Sequence, residues 1–276
     1  MTHFALQPGG TAVVTGAASG IGLAASRRFA TLGLNVVLCD LPGDALDRAR
    51  DTVATSGGRA RAFAADVSEP DQMLALRDFV LAETDAVSIL MNNAATGDNP
   101  GHAWENPTGW RTLLETNLHG VINGVQAFTG AMLASGRPGL IVNTGSKQGI
   151  TLPPGNSAYN VSKAAVKALT ESLAHELREA GGQISAHLLI PGFTFTGMTD
   201  AAEKPDAAWT ADQVITFMLD SIEAGDFYIL CPDNAVPRAT DEQRMRWTIG
   251  DIIDNRPALS RWHPDYRQAF ARFMQS

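Results

Sequence analysis

Residues 11–22 read "TAVVTGAASGIG". Five strand-forming residues run into a turn carrying Gly16, Gly20 and Gly22, and the helix-forming stretch "LAASRRFATLG" follows. A strand, a glycine turn and a helix at the first such junction of a chain is the opening of a parallel α/β unit with a phosphate cradle. Gly16 permits a tight turn, Gly20 leaves room for a diphosphate against the backbone, and Gly22 lets the helix pack close to the strand. The helix N-terminus then presents free N–H groups and the positive end of its dipole to that diphosphate.

Working outward, short apolar runs recur at 11–15, 35–39, 61–65, 88–92, 139–144, 184–190 and 227–230. Most are rich in Val, Ile and Leu without strict alternation, as strands covered on both faces require. Helix-length amphipathic stretches lie between them, at 20–32, 43–56, 70–83, 104–135, 157–180 and 210–224. The alternation predicts an α/β, doubly wound Rossmann fold: a seven-stranded parallel sheet with helices on both faces. No repeat or Pro/Gly/Ser linker divides residues 1–232, which read as one domain. Residues 233–276 read as a helical C-terminal extension. In it Met245, Ile249, Ile252 and Ile253 fall at helical spacing, as do Tyr266, Phe270, Phe273 and Met274, with breaks at Pro257 and Pro264. The two short helices are expected to pack on this domain or on a neighbouring subunit.

Composition narrows the functional classes. The 276 residues are 45% hydrophobic and carry 21 basic against 29 acidic side chains, a net charge of −8. An acidic chain without a basic block argues against nucleic acid and anionic membrane as partners. Cys39 and Cys231 form no disulfide framework, and no Cys/His cluster suits a metal. "HELRE" at 175–179 lacks a second His at zinc spacing, so His175 reads as a solvated residue, and His119 as structural. The first ten residues lack the basic and apolar regions of a signal peptide, and no apolar run nears the ~20 residues of a membrane span. The expectation is a reduced, cytoplasmic chain.

Asp40 closes the second strand, eighteen residues past Gly22. A carboxylate there accepts hydrogen bonds from ribose hydroxyls and repels a 2′-phosphate, which favours NAD over NADP. Asp66, after the third strand, either bonds the adenine amino group or caps the next helix.

"SAYNVSK" at 157–163 sets Tyr159 and Lys163 four residues apart, one turn along a helix face. A phenol beside an ammonium is a proton-transfer device when the charge lowers the phenol's pKa. With these motifs in order, "TGAASGIG" (15–22), "NNAA" (92–95), "ETNLHG" (115–120), "NTGS" (143–146) with "YNVSK" (159–163), and "PGFTFT" (191–196), the chain resembles the short-chain dehydrogenase/reductase family over residues 8–232.

The resemblance implies catalytic roles for Asn117, Ser146, Tyr159 and Lys163, with Asn117 holding a water that links Lys163 to solvent. It implies cofactor contacts from Gly16, Ser19, Gly20, Ile21, Gly22, Asp40, Asp66, Val67, Asn93, Ala94, Tyr159, Lys163, Pro191, Gly192, Thr194 and Thr196. The implied activity is NAD-dependent interconversion of a secondary alcohol and its ketone. The alternatives are a non-catalytic dinucleotide-binding regulator, or an isomerase or lyase with tightly held NAD. A homo-oligomer, dimer or tetramer, is implied through the helices at 104–135 and 157–180. Two positions depart from the family pattern: Ala95 stands where glycine is usual, and Gly145 where a serine often precedes the catalytic one.

Residues 193–210, with Phe193, Phe195, Met198 and Trp209, are expected to close over the substrate as a mobile lid. Lys147, Gln148, Leu152, Phe193 and Met198 are the candidate substrate contacts, and an apolar or aromatic alcohol is the expected substrate. Lys147 is open to two readings, a contact for an anionic or strongly polar substrate or an ordinary surface lysine. Trp104 and Trp110 are expected to pack at the start of the long helix.

Overall fold

The computed structural model describes residues 3–199 and 202–275. Seven parallel strands form one sheet: β1 (Thr11–Thr15), β2 (Asn35–Asp40), β3 (Ala60–Ala64), β4 (Ile89–Asn92), β5 (Gly139–Thr144), β6 (Ile184–Ile190) and β9 (Tyr228–Leu230). Their spatial order is β3-β2-β1-β4-β5-β6-β9. The chain starts in the middle, builds one edge, then returns to β4 beside β1, so the order reverses there. That reversal opens a crevice at the carboxyl ends of the strands, where ligands bind in such sheets.

The unbroken apolar runs are explained by burial on both faces. Val14, Leu38, Met91 and Val142 face one cluster, packed by α1 (Gly20–Thr31), α2 (Asp44–Ala54) and α8 (Ala211–Ala224). Val13, Val37, Leu90 and Ile141 face the other, packed by α3 (Pro70–Leu81), α5 (Gly120–Ala134) and α7 (Ser157–Glu179). Phe29 and Phe128, both fully buried, anchor the two layers; each contributes about 1.5–3 kcal/mol of apolar burial.

The stretch 104–135 departs from the expected single helix. It starts at α4 (Pro107–Leu114), passes through a π-helical turn at Glu115–His119, and continues as α5. Asn106, in the left-handed region at φ 44°, caps α4 by accepting from the Gly109 N–H. Trp104 therefore precedes the helix; it is 80% exposed and stacks on His102 instead of packing. Trp110 is half-buried. A four-residue helix, α6 (Gln148–Thr151), carries no sequence pattern long enough to foresee. Within 193–210, β7 (Thr194–Phe195) pairs in parallel with β8 (Trp209–Thr210). Part of the expected lid, residues 200–201, lies outside the described residues.

In the extension, α9 (Arg238–Ile253) begins before its apolar positions, and α10 (Arg267–Phe273) packs back on it. The expected apolar face divides. Met245 joins the cluster of Leu188, Ile190 and Leu230 on the same chain, whereas Ile249, Ile252 and Ile253 stay exposed. Trp247 takes the inner position, its ring met by Phe270, Phe273 and the Arg256 guanidinium, and its Nε1–H donates to Ser260 Oγ at 2.8 Å.

Candidate active site

The crevice is a cavity of ≈ 800 Å³, within the range of small-molecule sites. One end is the glycine turn. Gly16 sits at φ +63°, and a Cβ there would meet Ala94 Cα at 2.7 Å; a Cβ on Gly22 would lie 2.1 Å from Gly16 O. Gly22 thus does not line the cavity but sets the strand–helix distance, whereas Gly16, Ser19, Gly20 and Ile21 do line it. Ser19, the N-cap of α1, makes no side-chain cap bond, so that terminus stays open to a ligand. Asn93 braces the turn from β4, donating from Nδ2 to the carbonyls of Thr15 and Gly16.

Asp40 has two structural partners: Oδ2 accepts from the Ala18 N–H and Oδ1 from the Leu41 N–H, both at 2.8 Å. Asp66 caps no helix. Its Oδ1 accepts from the Ser68 N–H and hydroxyl, and it lines the cavity beside Val67. Among the described residues lining the crevice, Lys163 carries the one positive charge, against Asp40, Asp66 and Asp98.

At the other end, β5 delivers Thr144, Gly145 and Ser146, and α7 delivers Tyr159 and Lys163. The Ser146 hydroxyl lies near enough to the Tyr159 phenol to lower its pKa. Ser146 Oγ accepts from the Gln148 N–H at 3.1 Å. Lys163 is wholly buried, and its Nζ donates to the Thr144 carbonyl at 2.9 Å. Burial lowers that ammonium to about 8, and burial holds the Tyr159 phenol above its usual range, with the Ser146 hydroxyl pulling it partway back. The expected acidification of Tyr159 by Lys163 is therefore not built into this arrangement. The Lys163 Nζ lies 5.6 Å from the ring centroid and is engaged by Thr144.

Gly145 answers to packing: a Cβ there would press Leu188 Cδ1 at 3.0 Å. Ala95 lines the crevice, as do Ala94, Pro191, Gly192, Thr194 and Thr196.

The structure also places Asn117, Lys147 and Leu152, and corrects the last two as substrate contacts. Asn117, inside the π turn and fully buried, has its amide committed: Oδ1 accepts from the Thr96 N–H at 2.7 Å, and Nδ2 donates to Thr96 O and Ser162 Oγ. Its side chain clamps the 95–99 loop at Thr96. Lys147 does not face the crevice; its ammonium meets Asp233 and Asp241. Leu152, at φ 50°, ends α6 and does not line the crevice, whereas Gln148, Phe193 and Met198 do.

Asn156 was missed. Its Oδ1 accepts from the Tyr159 N–H, capping α7, while its Nδ2 donates to Gly97 O and Asp98 O. It thereby fixes where Tyr159 starts its turn and ties α7 to the opposite wall. An Asn one residue before a helix-forming run is a readable N-cap signal. No group of three or more potential metal ligands occurs among the described residues, and no described helix is long and apolar enough to cross a membrane.

Comparison with known proteins agrees with this geometry. A 1-deoxy-11-beta-hydroxypentalenate dehydrogenase from Streptomyces exfoliatus is 33% identical over 258 residues, 91% of this chain and 93% of that one. A short chain dehydrogenase/reductase from Burkholderia phymatum in complex with NAD superposes with a TM-score of 0.83 at 32% identity, covering 93% of this chain and 97% of its own. A metagenomic short-chain oxidoreductase in complex with NADP gives a TM-score of 0.68 at 30% identity, over 82% and 98%. The family profile described as short chain dehydrogenase matches residues 10–207, and the chain belongs to that family of oxidoreductases.

Proposed function

We propose that this protein interconverts a secondary alcohol and its ketone with NAD, using Tyr159 as general acid and base. One observation carries the reading: Ser146, Tyr159 and the buried Lys163 line one end of a crevice whose other end is an open glycine turn. The residues suit a dinucleotide, since a Cβ would obstruct the turn at Gly16 and the α1 N-terminus is uncapped. Bound there, NAD would supply or accept the hydride.

The chain's own groups manage the proton. Burial keeps Tyr159 protonated, so the phenol carries the proton that a ketone oxygen must receive as hydride arrives. In the opposite direction it must first lose that proton, against the burial that favours the phenol. Ser146 holds the substrate oxygen and stabilises charge developing on it. Asp40 and the lack of a cation beside it among the lining residues support NAD over NADP. Phe193 and Met198, both partly exposed on the crevice, support an apolar or aromatic substrate. Asp98 on the same wall, with Lys147 sequestered, favours a neutral one. Association into a dimer or tetramer belongs to the same reading and is checked by light scattering.

The test is a panel of alcohols and ketones with NAD and NADP in parallel, followed by Tyr159→Phe. The variant should lose turnover by about 10²–10⁴-fold while binding NADH as the parent does, read by nucleotide fluorescence. Full turnover without the phenol would remove Tyr159 from its role.

A further inference from the structure

Lys147 directly follows Ser146, yet its ammonium is turned into a buried pair of carboxylates. Nζ lies 3.2 Å from Asp233 Oδ2 and 2.5 Å from Asp241 Oδ2, with the three side chains 16%, 4% and 5% exposed. Asp233 sits just past β9 and Asp241 in the first turn of α9. Both partners therefore come from the far end of the chain, within the C-terminal extension.

Asp233 does more than pair with Lys147. Its Oδ2 accepts from the Phe193 N–H at 3.1 Å, and its Oδ1 accepts from the N–H groups of Ala235 and Val236. Gly192 is wedged against the same cluster: a Cβ there would meet Asp233 Oδ2 at 2.8 Å and Lys147 Nζ at 2.9 Å. Lys147 also anchors α6 through its backbone, since its carbonyl accepts from the Ile150 and Thr151 N–H groups. Gln148, the next residue, donates its N–H to Ser146 Oγ. One ion cluster thus grips the loop bearing Ser146 and the loop bearing Gly192 and Phe193, which form adjacent walls of the crevice.

We propose that Lys147, Asp233 and Asp241 are positioning residues: a buried clamp through which the C-terminal extension holds Ser146 and the Gly192–Phe193 segment in their working geometry. The proposal rests on the proposed reaction only for its kinetic consequence. A buried ammonium left by one carboxylate cannot be rehydrated in place, so it moves, and the two loops move with it. Displacement of reacting groups by a fraction of an ångström to an ångström lowers turnover far more than it lowers ground-state binding.

The experiment compares the full-length protein with Asp241→Asn, Lys147→Met, their double variant and Lys147→Arg. Two readouts are used: kinetics with the best substrate of the panel, and amide hydrogen exchange over 145–152 and 191–197. Each single change should lower kcat by about tenfold or more, leave NADH affinity within about twofold, and speed exchange in both segments. The double variant should be no worse than the worse single change, because the groups act as one unit. Lys147→Arg should recover most of the loss. Should Asp241→Asn prevent folding, Asp233→Asn and Lys147→Met carry the same comparison. The clamp is overturned by folded Asp241→Asn and Lys147→Met proteins with kcat near that of the parent, or by unchanged exchange in the two segments. If the parent turns over no substrate, the proposed reaction fails on its own, while exchange still decides the clamp.

Discussion

Asp40 Oδ2 accepts a hydrogen bond from the Ala18 N–H at 2.8 Å, so the carboxylate ending β2 also shapes the turn that follows β1. The group proposed to read the ribose is the one that holds the diphosphate cradle.

This dual role separates two substitutions. Asp40→Ala removes the loop's acceptor as well as the charge, and should raise KM for NAD by about tenfold or more, since a hydrogen bond to a charged group contributes about 1.5–3 kcal/mol. Asp40→Asn retains an acceptor for Ala18 and removes the repulsion toward a 2′-phosphate. It should shift the NADP-to-NAD ratio of kcat/KM upward with a smaller loss for NAD. Parallel kinetics with both nucleotides check it; an unchanged ratio in both variants would move cofactor choice elsewhere.

Asn117 should behave as a structural clamp. Replacing it with Leu removes both side-chain partners of the part-buried N–H and carbonyl of Thr96, at up to about 1–3 kcal/mol for each group left unsatisfied. The expected fall in Tm is several degrees, measured by calorimetry, and the 95–99 segment should lose exchange protection. A variant as stable as its parent would show that Thr96 finds other partners.

The buried Lys163 predicts an unusual pH dependence. Its folded-state pKa is lowered by burial to about 8 from 10.5. Between those values the unfolded chain binds more protons, so this residue makes the fold more stable as pH rises above about 8, a gain lost again on returning toward 8. Cys39 and Cys231 act oppositely: burial pushes both thiols to about 12 from 9.0, so stability falls as pH rises above 9.0. Stability should crest near pH 9.0. Lys163→Met should abolish the rise from pH 8 to 9, worth about 1 kcal/mol, and keep the later fall. Parallel Tm curves for the two proteins across that interval would contradict this.

Two glycines should answer differently to alanine. A Cβ at Gly149 would lie 2.5 Å from Lys163 C and 2.6 Å from Lys163 O, so Gly149→Ala must push α6 off α7. A loss of about 1–3 kcal/mol from overpacking and a lowered kcat should appear together. Gly130, exposed within α5, has nothing within 4 Å of its Cβ position. Gly130→Ala should gain about 0.5–1 kcal/mol from helix propensity, with activity unchanged. Denaturant midpoints and initial rates measure both.

Local pattern determined much of this protein. The glycine turn, the continuous apolar strands and the intervening helices are short-range signals, and they led to the parallel sheet and its crevice. The Tyr159–Lys163 spacing is equally local, because one helical turn fixes it. What pattern could not reach was every contact between distant segments. Lys147 looked like a substrate-facing or surface lysine because Asp233 and Asp241 lie far along the chain, and only folding brings three charges together. The Asn117 amide meets Thr96 only because the π turn aims it there. Ile249, Ile252 and Ile253 share a helical face with Met245 in the sequence. Packing admits only Met245 and Trp247, because periodicity states which residues lie on one side of a helix but not how far a neighbouring surface extends.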